Sequence, residues 1–130
     1  MSTKIFVNLP VKDLSRSMGF FTGLGFTFNP DFTDDKAACM VISDDIYAML
    51  LTEPYFRKFT GKAVTDTATS SEAIVALLLD TRQDVDRIAE AALAGGGRTA
   101  EQTNENSPMY TRSFFDLDGH HWEFFHAAGA

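Results

Sequence analysis

The sequence predicts an α+β fold built as two βαβββ modules in tandem. Three observations carry this. The same order of strand and helix patterns occurs twice at an offset of about 70 residues, the mark of an internal duplication. Each half holds one helix-length stretch with apolar residues three and four apart, closed by glycines. The other apolar segments are short, as strands are, and an Asp-Gly turn signal joins the last two.

In order along the chain, Ile5-Phe6-Val7-Asn8-Leu9 reads as the first strand, ended by Pro10, and Asp13 offers a helix N-cap. Leu14, Met18 and Phe21, widened by Phe20 and Leu24, form the helix stripe, and Gly23 and Gly25 stop it. Strands follow over residues 26–32, 37–43 and 46–52, the last two joined by a tight turn at Asp44-Asp45. Residues 54–71 read as a linker: Pro54, an aromatic and basic patch (Tyr55, Phe56, Arg57, Lys58, Phe59), then a Thr-, Ser- and Ala-rich run. The unbroken apolar run 73–79 reads as a strand buried on both faces. Thr81 caps a helix with the stripe Val85, Ile88, Ala89, Ala92 and Leu93, and Gly95-Gly96-Gly97 ends it. Strands over 98–102, 109–117 and 121–126 complete the second half. The expected organisation is one domain over 1–130, with module one at about 4–53 and module two at about 72–127.

Composition narrows the function classes. The chain has 130 residues, 45% hydrophobic and 22% charged, ordinary values for one globular domain. No apolar run approaches the roughly 20 residues that span a bilayer, and no secretory signal is visible, so a cytoplasmic protein is expected. A net charge of −7 with scattered Lys and Arg argues against nucleic-acid and membrane partners. A single cysteine, Cys39, excludes an internal disulfide and a multi-thiolate zinc site. No serine sits in a nucleophile elbow, and the triple glycine follows a helix rather than opening one, as a phosphate loop would.

The closing hairpin carries most of the chemistry. With Asp118 and Gly119 at the centre of a type I′ turn, Asp116 faces His121, Phe114 faces Glu123 and Arg112 faces Phe125. Alternation then puts Phe115, Leu117, Trp122 and Phe124, with Ser113, on an apolar face suited to packing on helices. The other face carries Tyr110, Arg112, Phe114, Asp116, His121, Glu123 and Phe125. That mixed face reads either as the wall of a ligand cavity or as a half-exposed sheet face with surface ion pairs.

The segment Val7-Asn8-Leu9-Pro10-Val11-Lys12-Asp13-Leu14, with Phe20-Phe21 and Leu24-Gly25-Phe26, resembles the first strand and helix of the vicinal oxygen chelate (glyoxalase and bleomycin-resistance) superfamily. Asp116-Leu117-Asp118-Gly119-His120-His121-Trp122-Glu123 resembles its last hairpin, so the resemblance spans nearly the whole chain. It implies a curved, mostly antiparallel, cup-shaped sheet, a small-molecule ligand and a homodimer. Among members, the chain looks closest to small predicted lactoylglutathione lyase-type proteins. Metal-dependent members draw four ligands from the first and last strands of each module. Here those positions are approximately Phe6, Leu50, Ile74 and Glu123, and only Glu123 can bind a metal, with His121 a weaker second on the same face. The expectation is therefore no metal or other cofactor.

Three readings stay open, the third being a degenerate scaffold or regulator with no small ligand, which the polar cavity face disfavours. In the first, the protein is a lyase or isomerase acting on a small carbonyl compound, with Glu123 as base and Asn8, Phe6, Tyr47, Tyr110, Arg112, Phe114 and His121 binding the ligand. An Arg112–Glu123 pair would instead make Glu123 an ionised acceptor that orients the ligand. In the second, the protein sequesters a cationic or aromatic ligand in the manner of bleomycin-resistance proteins, which the acidic charge and aromatic cavity fit; in either reading Tyr47, Met49, Phe56 and Phe59 form an aromatic wall or belong to the core.

Overall fold

The computed structural model describes residues 3–100 and 109–127, arranged as two compact units, Met1–Val64 and Thr65–Ala130. Unit one runs β1 (Ile5–Val11), α1 (Leu14–Gly23), β2 (Thr27–Asn29), a 3-10 turn at Pro30–Phe32, β3 (Ala37–Val41), β4 (Ile46–Thr52) and α2 (Glu53–Thr60). Unit two runs β5 (Ile74–Leu78), α3 (Arg82–Ala94), β6 (Arg98–Thr99), β7 (Met109–Phe115) and β8 (His121–Ala127). Each unit forms one four-stranded mixed sheet, in the order β1-β4-β3-β2 and β5-β8-β7-β6. In both, the first and last strands pair in parallel and the other pairs are antiparallel. The repeated topology is the expected α+β pair of βαβββ modules.

In module one the Asp13 side chain accepts from the Arg16 amide and starts α1. The buried stripe of α1, Leu14, Ser17, Phe20 and Phe21, packs on the sheet face that carries Leu9, Val11, Ala38, Met40, Ala48 and Leu50. Burying each large apolar side chain stabilises the module by roughly 1.5–3 kcal/mol. Pro30 ends β2 three residues earlier than its apolar pattern suggests, because the missing N–H and fixed φ suit a helical turn capped by Asn29. Residues 53–60, expected within a linker, are α2. Pro54 fits the first turn, where its missing amide hydrogen costs nothing, and Gly61 at φ +68 ends the helix.

In module two Thr81 accepts from the Asp84 amide and starts α3, which buries Val85, Ile88, Ala89 and Ala92. The run 73–79 proves to be an edge strand of its sheet, with Ile74 55% exposed, rather than one buried on both faces. Residues 101 and 102 of the expected strand 98–102 lie outside the described residues.

The β7–β8 register differs from the type I′ expectation by one residue. Phe115 pairs with His121, Phe114 with Trp122, Ser113 with Glu123 and Arg112 with Phe124. Among the described residues only glycines have positive φ, so Asp118 cannot supply the second left-handed residue that type I′ needs. The cause is Asp116. One of its oxygens accepts from the Asp118 and His120 amides, and Gly119 at φ +81 turns the chain between them. A five-residue loop, Asp116 to His120, results, and a one-residue shift moves every β7 side chain to the other face.

Candidate functional site

The side of the module-one sheet turned away from α1 carries Phe6, Asn8, Met49, Leu51, Ala37 and Cys39 by strand alternation and register. Two walls rise from it. Helix α2 packs on β1 and β4, and the 3-10 turn packs on β3. Between them lies a trough of about 380 Å³ lined by Asn8, Asp31, Phe32, Thr33, Asp34, Ala37, Met49, Leu51, Tyr55 and Phe59. Tyr55 and Phe59, four residues apart on α2, meet edge to face with ring centroids 5.0 Å apart. Phe32 and Phe59 are 67% and 69% exposed, far more than large apolar side chains in a packed core. The Asp34 carboxylate accepts from the backbone amides of Lys36 and Ala37, and these bonds hold its pKa below the ordinary carboxylate value. The wall is therefore acidic and ionised beside an aromatic rim.

Of the residues expected here, Asn8 and Met49 line the trough, as does Phe59. Asn8 donates to the Phe6 carbonyl oxygen. Phe6 and Tyr47 share the same sheet face but stack on one another at 4.6 Å, with the Tyr47 hydroxyl donating to the Asp44 carbonyl oxygen. Phe56 is not among the lining residues; Tyr55 and Phe59 are. The sequence pattern does not single out Asp31, Phe32, Asp34 and Tyr55 as ligand contacts; Asn29-Pro30 and the Pro54 start of a helical turn are the legible signals, in stretches whose patterns read as strand and linker.

In module two the corrected register removes three expected ligand contacts. Tyr110, Arg112 and Phe114 share the α3-packed face with Trp122 and Phe124. The Tyr110 hydroxyl donates to Asp86 at 2.5 Å, and Arg112 donates to Asp86 and Glu90 at 3.3 and 2.7 Å. The expected Arg112–Glu123 pair does not form, because the two side chains lie on opposite sides of the sheet. Phe114 is core, stacked on Phe124 at 5.5 Å. Asp116 leaves the ligand face as well, and its second oxygen accepts from the Trp122 indole at 3.0 Å. Burial pushes its pKa up against the opposing effects of His120, the indole and the backbone amides. His120 is buried with its Nδ1 2.6 Å from Glu72.

The face turned away from α3 carries Ser113, Phe115, His121, Glu123 and Phe125. His121 Nε2 lies 3.9 Å from Glu123 Oε1, too far for a direct hydrogen bond. Ser113, expected among the apolar set, is here instead. Its Oγ and His121 Nε2 are buried and have no hydrogen-bond partner among the described residues. His126 is on the α3 side, with Nδ1 3.0 Å from the Leu79 carbonyl oxygen.

Residues 3–43 match the family model described as bleomycin resistance protein-like N-terminal. Similar solved structures cover nearly the whole chain. Hypothetical protein SA1046 from S. aureus is 26% identical over 98% of this chain and 95% of its own, with a TM-score of 0.81. A glyoxalase/bleomycin resistance protein/dioxygenase family enzyme from Burkholderia phytofirmans is 12% identical over 97% and 99%, at 0.80. The fosfomycin resistance protein FosX from Mesorhizobium loti is 18% identical over 99% and 95%, at 0.70. The chain adopts the vicinal oxygen chelate fold. No curated protein matches it by sequence.

The four positions at which the resemblance implies metal ligands do not supply a donor set. Leu50 points toward α1 and is fully buried; its open-face neighbours are Met49 and Leu51. With Phe6 and Ile74 at the other positions, Glu123 and His121 are left as two donors. Among the described residues no group of three or more His, Cys, Asp or Glu side chains is placed to hold a metal ion. A hard or borderline divalent ion does not fit this donor set. No helix of the described residues is long and apolar enough to cross a membrane.

Proposed function

We propose that this vicinal oxygen chelate protein is a small-molecule binding protein that holds a cationic or aromatic ligand in the trough of module one without a metal. The observation that carries the reading is the lining: Phe32, Tyr55 and Phe59 offer aromatic faces and edges, and Asp31 and Asp34 offer charge on one wall. A ring is attracted to exposed aromatic side chains, and a cation to carboxylates and ring faces together. The rest of the lining offers Asn8 and Thr33 as neutral polar groups. The overall charge of −7 favours approach of a cation.

The test is a fluorescence titration with thioflavin T, a flat aromatic monocation, alongside the anionic dye ANS. Thioflavin T is expected to bind the more tightly of the two. Asp34→Asn weakens it by roughly two- to fivefold, as a part-exposed ion pair does. Phe59→Ala weakens it by roughly fivefold or more through lost ring contact. Equal binding of both dyes, or binding untouched by both variants, rejects the reading. A second reading, a metal-free lyase or isomerase with Glu123 as base, is supported by one observation: Glu123 and His121 still share an open face. It predicts turnover of a small carbonyl compound that Glu123→Gln abolishes and Asp34→Asn leaves intact.

A further inference from the structure

The trough of module one is one-sided in its hydrogen-bonding chemistry as well as in its charge. Its loop wall, from the 3-10 turn to the start of β3, spends its donors on itself. The Asp31 amide donates to Asn29 Oδ1, the Thr33 amide to the Pro30 carbonyl oxygen and the Asp34 amide to that of Ala37. The Lys36 and Ala37 amides both donate to Asp34 Oδ1. The Thr33 hydroxyl donates to the Asn29 carbonyl oxygen at 2.7 Å and accepts from the Cys39 amide at 3.1 Å, so it offers a ligand no proton. On the sheet floor Met49 and Leu51 stand on β4, which is paired on both sides, and Asn8 donates to the Phe6 carbonyl oxygen. Three exposed acceptors are left over, each without a partner among the described residues: the Asp31 carboxylate, Asp34 Oδ2 and Asn8 Oδ1. The Tyr55 hydroxyl can donate or accept. No Lys, Arg or His is among the lining residues; the Lys36 charge acts on Asp34 from outside the lining.

We propose that the trough is specific for an aromatic cation whose charge sits on N–H groups, an arylamidinium or arylguanidinium, and selects against quaternary ammonium ions of the same charge and similar size. The inference rests on the trough being the ligand site and names the class of ligand it takes. Exposed acceptors are hydrated in a free protein. A ligand that covers them must replace those water bonds, and a quaternary ammonium, which has no N–H, removes the water and returns nothing. A guanidinium or amidinium fixes several N–H groups in one plane, so a single cation can serve more than one of the three acceptors at once. Such a plane is more weakly hydrated than an ammonium and stacks on aromatic rings, which the Tyr55 and Phe59 pair supplies. A carboxylate or phosphate would meet Asp31 and Asp34 as like charges with no cation in the lining to offset them.

Isothermal titration calorimetry of the whole protein tests this with benzamidine and phenylguanidine, which carry N–H groups, phenyltrimethylammonium, which has the same charge and ring without them, and benzoate. Benzamidine and phenylguanidine are expected to bind roughly tenfold more tightly than phenyltrimethylammonium, as one or two charge-assisted hydrogen bonds imply, and benzoate is expected not to bind. Asn8→Ala changes no charge and should weaken benzamidine about threefold while leaving phenyltrimethylammonium as it was. Asp34→Asn keeps an oxygen for the Lys36 and Ala37 amides, so the loop is retained. It should weaken benzamidine roughly tenfold and phenyltrimethylammonium only about two- to fivefold. Equal affinity for benzamidine and phenyltrimethylammonium would overturn the proposal and leave the trough standing as a site for aromatic cations. A preference for benzamidine that survives both variants would overturn it too, since the N–H groups would then be met elsewhere. No binding of benzamidine up to about 20 mM would also overturn it, and the reading of the trough falls with it only if thioflavin T fails to bind as well.

Discussion

Module one closes its last hairpin with an exposed loop in which Ser43 and Ile46 are joined by backbone bonds and Lys4 reaches Asp44 and Asp45 at the surface. Module two closes the corresponding hairpin over a buried carboxylate, Asp116, which accepts from two backbone amides and the Trp122 indole. Thr67 and Glu72, ahead of β5, bond to Asp118 and His120 of the same turn. The same βαβββ order is thus locked in different ways. Module one relies on apolar packing and spends its polar and aromatic groups on the rim of a trough. Module two uses buried polar bonds to fix its turn. Topology was duplicated, while the groups that set register and line the open sheet faces diverged with local sequence.

The largest expected difference between the modules lies at these turns. Asp116→Ala should cost about 3 kcal/mol, because it strands the buried Trp122 N–H and two turn amides. Asp45→Ala, at the exposed module-one turn, should leave the thermal midpoint unchanged within error. Urea unfolding of both variants checks this, and equal losses would break the comparison. The Asp116 penalty also depends on pH. Burial raises its folded-state pKa, so its titration contributes stability that is fully present below the unfolded value of about 3.9 and is lost as pH rises through the folded value. The Asp116→Ala loss should therefore be greater in mild acid than at neutral pH.

A smaller contrast sets two glycines against each other. Both Gly61 and Gly119 have positive φ, but nothing lies within 4 Å of a Cβ built at Gly61, whereas one at Gly119 would meet Thr67 Oγ1 at 2.5 Å. Gly61→Ala should cost about 1 kcal/mol for backbone strain alone. Gly119→Ala should cost about 2 kcal/mol or more, because the Thr67–Asp118 bond must also give way. Melting curves of the two variants measure the difference.

The fold was legible because apolar periodicity and caps depend on neighbours in sequence. Asp13, Thr81 and the stripes of α1 and α3 behave as their spacing implies. The site was less legible because it depends on register, and register was set by a side chain. Asp-Gly favours a two-residue turn locally, but in a wider loop the Asp116 carboxylate accepts from the Asp118 and His120 amides and the Trp122 indole, which bonds that loop better. A shift of one residue then sent Tyr110, Arg112 and Phe114 to the helix and brought Ser113 beside Glu123. The helix at 53–60 was hidden because eight residues with aromatic and basic side chains give too short a window for periodicity. Asp31, Phe32 and Asp34 reach the trough only through tertiary placement of a 3-10 turn, which no local pattern announces.

The smallest predicted effect concerns how each module holds its helix. The stripe of α1 is mostly apolar, whereas α3 is also tied to β7 by Tyr110 and Arg112 bonding Asp86 and Glu90. The Tyr110 hydroxyl, and then Arg112, hold the Asp86 pKa below its ordinary value, and the Asp86 bond in turn raises that of Tyr110. The lowered Asp86 contributes stability that is present above its unfolded value of about 3.9 and is lost as pH falls through the folded value. The raised Tyr110 contributes stability that is present below about 10 and is lost as pH rises through its folded value. Tyr110→Phe should therefore lower stability by only about 0.5 kcal/mol at neutral pH, since the carboxylate is half exposed. Its clearer mark is a flatter alkaline limb in a stability profile measured up to the titration of the tyrosine. An alkaline limb unchanged in Tyr110→Phe would assign the loss to groups outside α3 and β7, and would remove this difference between the modules.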